Sequence, residues 1–327
     1  MEPLGALPLS DPLHALITGA LGLDRDSHLD VFALNNPDGA VYLYTDAATG
    51  QRAVAKFYGR KWINDSRTGE PELRGILLRR EVEHLQYLRD AGFTGSPYFV
   101  PRPLAWSDEI DWVLLEDYVE GVNLHHAIWD CVANGNCDVL YRSIGHTARF
   151  LRELHRKDLS PLLGEGRQPY AYHLKLLRQL RERGLLDEEE VVRHQAAARE
   201  WVWRGVDENL LGVPIHGDAT PEHFLWSESL QRLGVIDFES LRNGDPAEDL
   251  GYLAAEMKHL FWSYSGDRWA SEPFIVHLYR SYGAYYPLTQ TARFFMACAE
   301  LRIARNFWLP FDYRRQLIAE AEQCLKG

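Results

Sequence analysis

Chemistry is concentrated in two acidic segments of this sequence. The first is Ile215-His216-Gly217-Asp218-Ala219-Thr220-Pro221-Glu222-His223-Phe224-Leu225, and the second is Leu233-Gly234-Val235-Ile236-Asp237-Phe238-Glu239. Asp218 and Asp237 each follow an apolar, strand-like stretch, so both can project from strand ends into one site. Phosphoryl transfer needs two carboxylates of this kind. One orients an attacking hydroxyl and accepts its proton, and the other holds the divalent ion that bridges the phosphates. A His-Gly-Asp tripeptide by itself marks only a turn; the paired spacing is what makes it a candidate.

The elements that must position these groups change character along the chain. Residues 29–58 read as a meander of three antiparallel strands, at 29–34, 41–45 and 52–58. The strands are broken at Asn35-Asn36-Pro37-Asp38-Gly39 and at Ala47-Ala48-Thr49-Gly50. Residues 72–90 switch to helical periodicity through Leu73, Leu77, Leu78, Val82, Leu85 and Leu88, with Gly92 just beyond the end. Two more strands are expected near Phe99–Ser107 and Asp111–Glu116. After Gly121 helical patterns dominate, at 139–156, 171–183, 187–204 and most of 247–325, interrupted by a β-rich island from Ile215 to Phe238. The pattern predicts an α+β chain of two lobes. Residues 1–117 form a small antiparallel sheet with one helix, and residues 118–327 form a mainly helical lobe, with a ligand expected in the cleft they make.

Composition narrows the function. The chain has 327 residues, 46% hydrophobic and 25% charged, with a net charge of −12. An acidic field of this size repels phosphate backbones, so no nucleic-acid partner is expected. The basic stretch Arg74–Arg80 reads as a solvated helix face. No apolar run reaches the roughly 20 residues a membrane span needs. Met1-Glu2-Pro3-Leu4 lacks the basic start of a secretory signal, which sets a cytoplasmic expectation. The four cysteines (131, 137, 298 and 324) contain no Cys-x-x-Cys pair and read as free thiols; Cys131 and Cys137 flank Asn134-Gly135 and could meet across a turn, an ordinary loop being the preferred reading.

The two acidic segments, together with Gly244-Asp245-Pro246-Ala247-Glu248-Asp249-Leu250, resemble the aminoglycoside-phosphotransferase and choline-kinase branch of the protein-kinase-like fold. The resemblance implies an ATP- or GTP-dependent small-molecule kinase with Mg²⁺ or Mn²⁺. Asp218 would be its catalytic base and Asp237 its metal ligand. His216 would tie the catalytic loop to the metal segment, and Asp249, opening a helix, would buttress that loop. Val54-Ala55-Lys56 falls where this fold places the lysine that reaches the α- and β-phosphates. Arg80-Glu81-Val82-Glu83-His84-Leu85 offers its partner, Glu81, with Glu83 less suited because it falls on another helical face. The stretch from Trp112 to Gly121 resembles the hinge, where backbone groups of Glu116, Asp117 and Tyr118 would bind the adenine edge. Leu151-Arg152-Glu153-Leu154-His155 matches a helix end read as packing.

Two departures stand out. No Gly-x-Gly-x-x-Gly loop separates the first strands, the candidate turn being Asn35 to Ala40. His223 occupies the position of the family's metal-binding asparagine, and imidazole favours softer ions than an amide oxygen does. Three readings follow: a metal ligand through nitrogen, a direct phosphate contact, or a nucleotide-binding pseudokinase that acts as a regulatory or scaffold module. Heptose kinases of lipopolysaccharide assembly resemble this pattern with His at the same place. A protein kinase fits less well, because Gly217 replaces the usual arginine and no Ala-Pro-Glu follows Asp237.

The expected acceptor is a hydroxyl of a sugar, aminoglycoside or amino-alcohol. The aromatic-rich stretch from Phe261 to Tyr286 either lines its pocket or packs helices. Arg302 and Arg305 would reach an anionic acceptor or extend to solvent.

Overall fold

The computed structural model describes residues 1–34, 40–60, 71–159, 162–163, 166, 168–207 and 212–326. The candidate turn from Asn35 lies outside these residues up to Gly39. The chain divides into two compact units. The first is Met1–Glu120 with Gly234–Glu239, and the second is Gly121–Leu233 with Ser240–Gly327. The division falls three residues beyond the expected boundary at 117, and the short segment carrying Asp237 groups with the first unit.

The first unit is built on a six-stranded sheet ordered β1-β2-β3-β4-β7-β6. Its strands are β1 (Glu2–Ala6), β2 (Leu29–Ala33), β3 (Val41–Asp46), β4 (Arg52–Phe57), β6 (Pro103–Ser107) and β7 (Val113–Asp117), with β5 (Tyr98–Phe99) apart from it. The expected strand over 99–107 is thus two pieces, divided at Val100-Pro101-Arg102. On β4, Ala53, Ala55 and Phe57 are buried, and antiparallel pairing sets Lys56 opposite Val41 on β3 and Leu114 on β7. The lysine therefore leaves the sheet on the face opposite the Ala53-Ala55-Phe57 core.

That core is covered by α1 (Pro12–Leu21), which sequence reading passed over. Asp11 caps it, accepting from Leu13 N at 2.9 Å, and Pro12 occupies the first turn. Leu13 and Ile17 pack with Leu29, Tyr44, Ala55, Phe57, Val113 and Leu115. On the other helix, α2 (Pro71–Asp90), the fully buried residues Leu78, Leu85 and Leu88 define an apolar stripe with Glu81 inside it. The 3-4-3 spacing forces this carboxylate into the interior.

The second unit is helical: α3 (Leu124–Asn134), α4 (Cys137–Leu154), α5 (Pro169–Glu182), α6 (Glu188–Trp203), α7 (Pro246–Ser265), α8 (Glu272–Tyr282), α9 (Tyr286–Ala304) and α10 (Phe311–Leu325). Two small antiparallel pairs frame its loops. They are β8 (Val122–Asn123) with β10 (Phe224–Ser227), and β9 (Val213–Ile215) with β12 (Arg242–Gly244). β11 (Arg232–Val235) leads into Asp237. No helix among the described residues is long and apolar enough to cross a membrane.

The expectation of four free thiols is corrected. Cys131 and Cys137 form a disulfide with Cα atoms 4.4 Å apart, while Cys298 and Cys324 are free. The reason is local. Helix α3 stops at Asn134 with Gly135 in the left-handed region (φ 73°), and α4 starts at Cys137, so the reversal folds one cysteine back on the other.

Candidate active site

In the first unit Lys56 Nζ lies 2.7 Å from Glu81 Oε1 and 3.1 Å from Glu116 Oε1. Both carboxylates are buried, and the lysine side chain is 13% exposed. Tyr58 donates its hydroxyl to the second oxygen of Glu81. Glu83 is exposed, as its helical face requires. Three residues beyond Glu81, on the same face of α2, His84 Nδ1 donates to the Phe238 carbonyl at 2.7 Å. One helical face thus carries both the partner of the lysine and the residue that fastens the Asp237 segment. Asp237 itself is held at φ 67°, a left-handed conformation that costs a non-glycine residue about 1–3 kcal/mol and that tends to cluster at functional sites. Ligand oxygens of Glu81, Asp237 and Glu239 lie within 4.8 Å of one another. This is a hard-oxygen donor set of the kind that suits Mg²⁺.

The electrostatics follow from crowding. Burial works against the Lys56 ammonium, but Glu116, Glu81 and Asp237 outweigh it and hold its pKa well above the usual lysine value. Burial pushes Glu81 and Glu116 up, against the pull of Lys56 and with the push of Asp237. Several carboxylates sharing one ammonium in a poorly solvated site cannot all ionise without a further cation. At the end of β7, Asp117 accepts from Arg102 N at 3.0 Å, and the Tyr118 ring lies 4.1 Å beneath the Arg52 guanidinium carbon.

In the second unit the loop from His216 to His223 is pinned at its start by Asp249. This carboxylate accepts from His216 N at 2.8 Å and from Gly217 N at 2.9 Å. Asp249 lies in the first turn of α7, whose N-cap is Asp245, at the opening of the helix as expected. His155 Nε2 stands 3.0 Å from it, and Tyr282 Oη stands 2.9 Å from His155 Nδ1, so the Leu-x-x-Leu-His helix end is a hydrogen-bonding support as well as packing. Burial opposes ionisation of Asp249, but His155, His216 and the Gly217 N–H outweigh it and keep its carboxyl below the usual range. Gly217 has φ 77°, and a Cβ there would run into the Arg242 guanidinium and the Ser240 carbonyl. Arg242 is fixed by Ser240 O at 2.9 Å and by Glu248 at 2.7 Å.

The His223 ring stacks on His216 with centroids 5.5 Å apart, and its Nδ1 lies 2.8 Å from the Asp218 carbonyl. A carbonyl only accepts, so Nδ1 carries the proton and Nε2 the lone pair in the neutral ring. Asp218 Oδ1 accepts from Arg302 Nη1 at 2.5 Å. Arg302 therefore neither extends to solvent nor stands ready for an anionic acceptor, and Arg305 bonds Gln179 at 2.7 Å. Of the aromatic stretch, Phe261 and Phe274 stack on each other at 4.7 Å in the interior, whereas Trp269, Tyr285 and Tyr286 are exposed.

Sequence reading missed the side-chain role of Glu116, the Glu239 carboxylate, His84, and the partners of Asp218. The position of His84, three residues after Glu81, was a readable signal. Nothing in the spacing of Glu256 and Arg302, 46 residues apart on α7 and α9, announced their pairing.

A strand lysine paired to a helix glutamate, and a His-Gly-Asp loop braced by a buried aspartate, are features of an α+β, protein-kinase-like enzyme. The chain belongs to the phosphotransferase enzyme family, whose model matches residues 39–295, and it is a small-molecule kinase. Solved structures agree in fold. The choline/ethanolamine kinase family protein from Mesorhizobium loti is 15% identical with a TM-score of 0.60, covering 98% of this chain and 96% of its own. The ADP-bound aminoglycoside phosphotransferase APH(2'')-Ib is 17% identical with a TM-score of 0.57, covering 96% and 97%. Plasmodium vivax ethanolamine kinase is 14% identical with a TM-score of 0.58, covering 90% and 81%. No curated protein matches the chain.

Proposed function

We propose that the protein transfers the γ-phosphoryl group of ATP or GTP to a hydroxyl of a sugar, aminoglycoside or amino-alcohol. The observation that carries this reading is the buried Lys56–Glu81–Glu116 cluster beside Asp237 and Glu239. A buried ammonium held charged among carboxylates is suited to gripping nucleotide phosphates. Similar structures hold ADP in one case and GDP in another, which supports a purine nucleotide without choosing between them.

In this mechanism Lys56 holds the α- and β-phosphates, and Glu81 keeps its ammonium aimed. Backbone groups of Glu116, Asp117 and Tyr118 receive the base. Asp237 and His223 are the residues that would hold Mg²⁺ or Mn²⁺, an ion that neutralises charge on the phosphates. His223 suits the task, because a metal-binding histidine characteristically donates its other N–H to a carbonyl, here that of Asp218. Asp218 receives the acceptor proton as the new oxygen–phosphorus bond forms. The bond from the γ-phosphorus to the bridging oxygen breaks, and the nucleoside diphosphate leaves with the electron pair. His216 and Asp249 hold the loop. The site needs no activation-loop phosphorylation, because Gly217 stands where the arginine that reads such a phosphate would be.

The test is direct. The protein is incubated with ATP or GTP, Mg²⁺ or Mn²⁺, and a metabolite extract, and mass spectrometry is used to find a compound that gains one phosphate. Saturable nucleotide binding without transfer to any acceptor, with either metal, contradicts the proposal and returns the pseudokinase reading.

A further inference from the structure

Arg302, in the last turn of α9, is fixed on two edges and one face. Nη1 donates to Asp218 Oδ1 at 2.5 Å, Nη2 donates to Glu256 Oε1 at 2.8 Å, and the guanidinium carbon lies 4.9 Å from the centroid of the Tyr252 ring. Glu256 and Tyr252 are both on α7, so a fork set between two elements reaches the loop from a third. Only a planar guanidinium can bridge two carboxylates at once while stacked on an aromatic ring.

The arrangement answers a problem the loop creates. Asp218, Glu222 and Glu256 are close enough that the first two raise the cost of ionising Glu256, in addition to its burial. Glu222 is answered by His125, whose Nδ1 lies 2.6 Å from it. Asp218 and Glu256 share Arg302. Without that cation the two carboxylates would repel each other and the Asp218 side chain would lose its fixed direction.

We propose that Arg302 is the positioning residue for Asp218, with Glu256 as its anchor. The pair holds the Asp218 carboxylate in one orientation. The inference rests on the reading of Asp218 as proton acceptor. The proton of the acceptor hydroxyl passes to Asp218, and Arg302 itself exchanges nothing.

The experiment compares native protein with Arg302→Ala, Arg302→Lys, Glu256→Gln and Asp218→Asn. Kanamycin, ethanolamine and a metabolite extract serve as acceptor probes, and nucleotide affinity is measured by calorimetry. Arg302→Ala is expected to lose about 100-fold in kcat, with nucleotide Kd and acceptor KM within about 3-fold of native. Millimolar guanidinium ion restores part of the lost rate, Arg302→Lys is intermediate, and Glu256→Gln loses about 10-fold in kcat.

Native kcat in Arg302→Ala, while Asp218→Asn is inactive, overturns the role of Arg302 alone. So does a loss of turnover that comes with loss of nucleotide binding and resists guanidinium. If Arg302→Ala does not fold, Glu256→Gln decides. Reduced kcat with intact nucleotide binding supports the proposal, and unchanged kcat overturns it. Absence of transfer by native protein to every probe overturns this inference and the proposed function together.

Discussion

Lys56 on β4 donates to Glu81 on α2 across 2.7 Å, and the same ammonium stands 3.1 Å from Glu116. One cation therefore pairs with two buried acids. Removing it as Lys56→Ala leaves both uncompensated and is expected to cost about 3–5 kcal/mol of stability. Glu81→Gln keeps the fold but loosens the aim of the ammonium, weakening nucleotide affinity about 10-fold (~1.4 kcal/mol). Calorimetry and thermal melts check both, and native melting in Lys56→Ala contradicts the pairing.

Gly217 has room for no side chain. Gly217→Ala places a methyl group against Arg242 and Ser240 in a left-handed backbone, so a loss of about 1–3 kcal/mol is expected, together with reduced turnover as the loop shifts. A variant with native melting temperature and native kcat contradicts this.

His223 carries a prediction about metal choice. Exchanging the imidazole for an amide oxygen, as His223→Asn, is expected to move the preference of turnover from Mn²⁺ towards Mg²⁺. The ratio of kcat with the two ions measures it. An unchanged ratio contradicts a role for His223 at the metal.

Away from the site, burial pushes the Glu300 carboxyl up from its ordinary 4.5 to about 8, against the pull of Lys258. The folded state holds a proton that the unfolded chain releases near 4.5. This contribution is full below that value and is lost as pH rises through about 8. The melting temperature of native protein should fall relative to that of Glu300→Gln across this window, and parallel curves would refute it.

Strands β2, β3, β4, β6 and β7, helix α2 and the two acidic segments were legible because period-2 and period-3.6 patterns and turn residues are local signals, whereas β1 at Glu2–Ala6 was not read. Helix α1 carried readable caps at Asp11 and Pro12 but lay upstream of the motifs that drew the reading. The Cys131–Cys137 bond escaped because six residues of separation say nothing about the left-handed stop at Gly135. Glu116 was read for its backbone. That its side chain turns towards Lys56 depends on β4–β7 register, a tertiary fact. The same holds for Arg302, whose helical spacing allowed several partners and whose actual ones sit on α7 and the His216–His223 loop.

The most direct measurement is Asp218→Asn, tested for turnover and for nucleotide affinity in parallel. If this carboxylate receives the acceptor proton, kcat falls by about 10²–10⁴ while nucleotide Kd stays within about 3-fold of native. Turnover within a few-fold of native, in a variant that binds nucleotide normally, contradicts it.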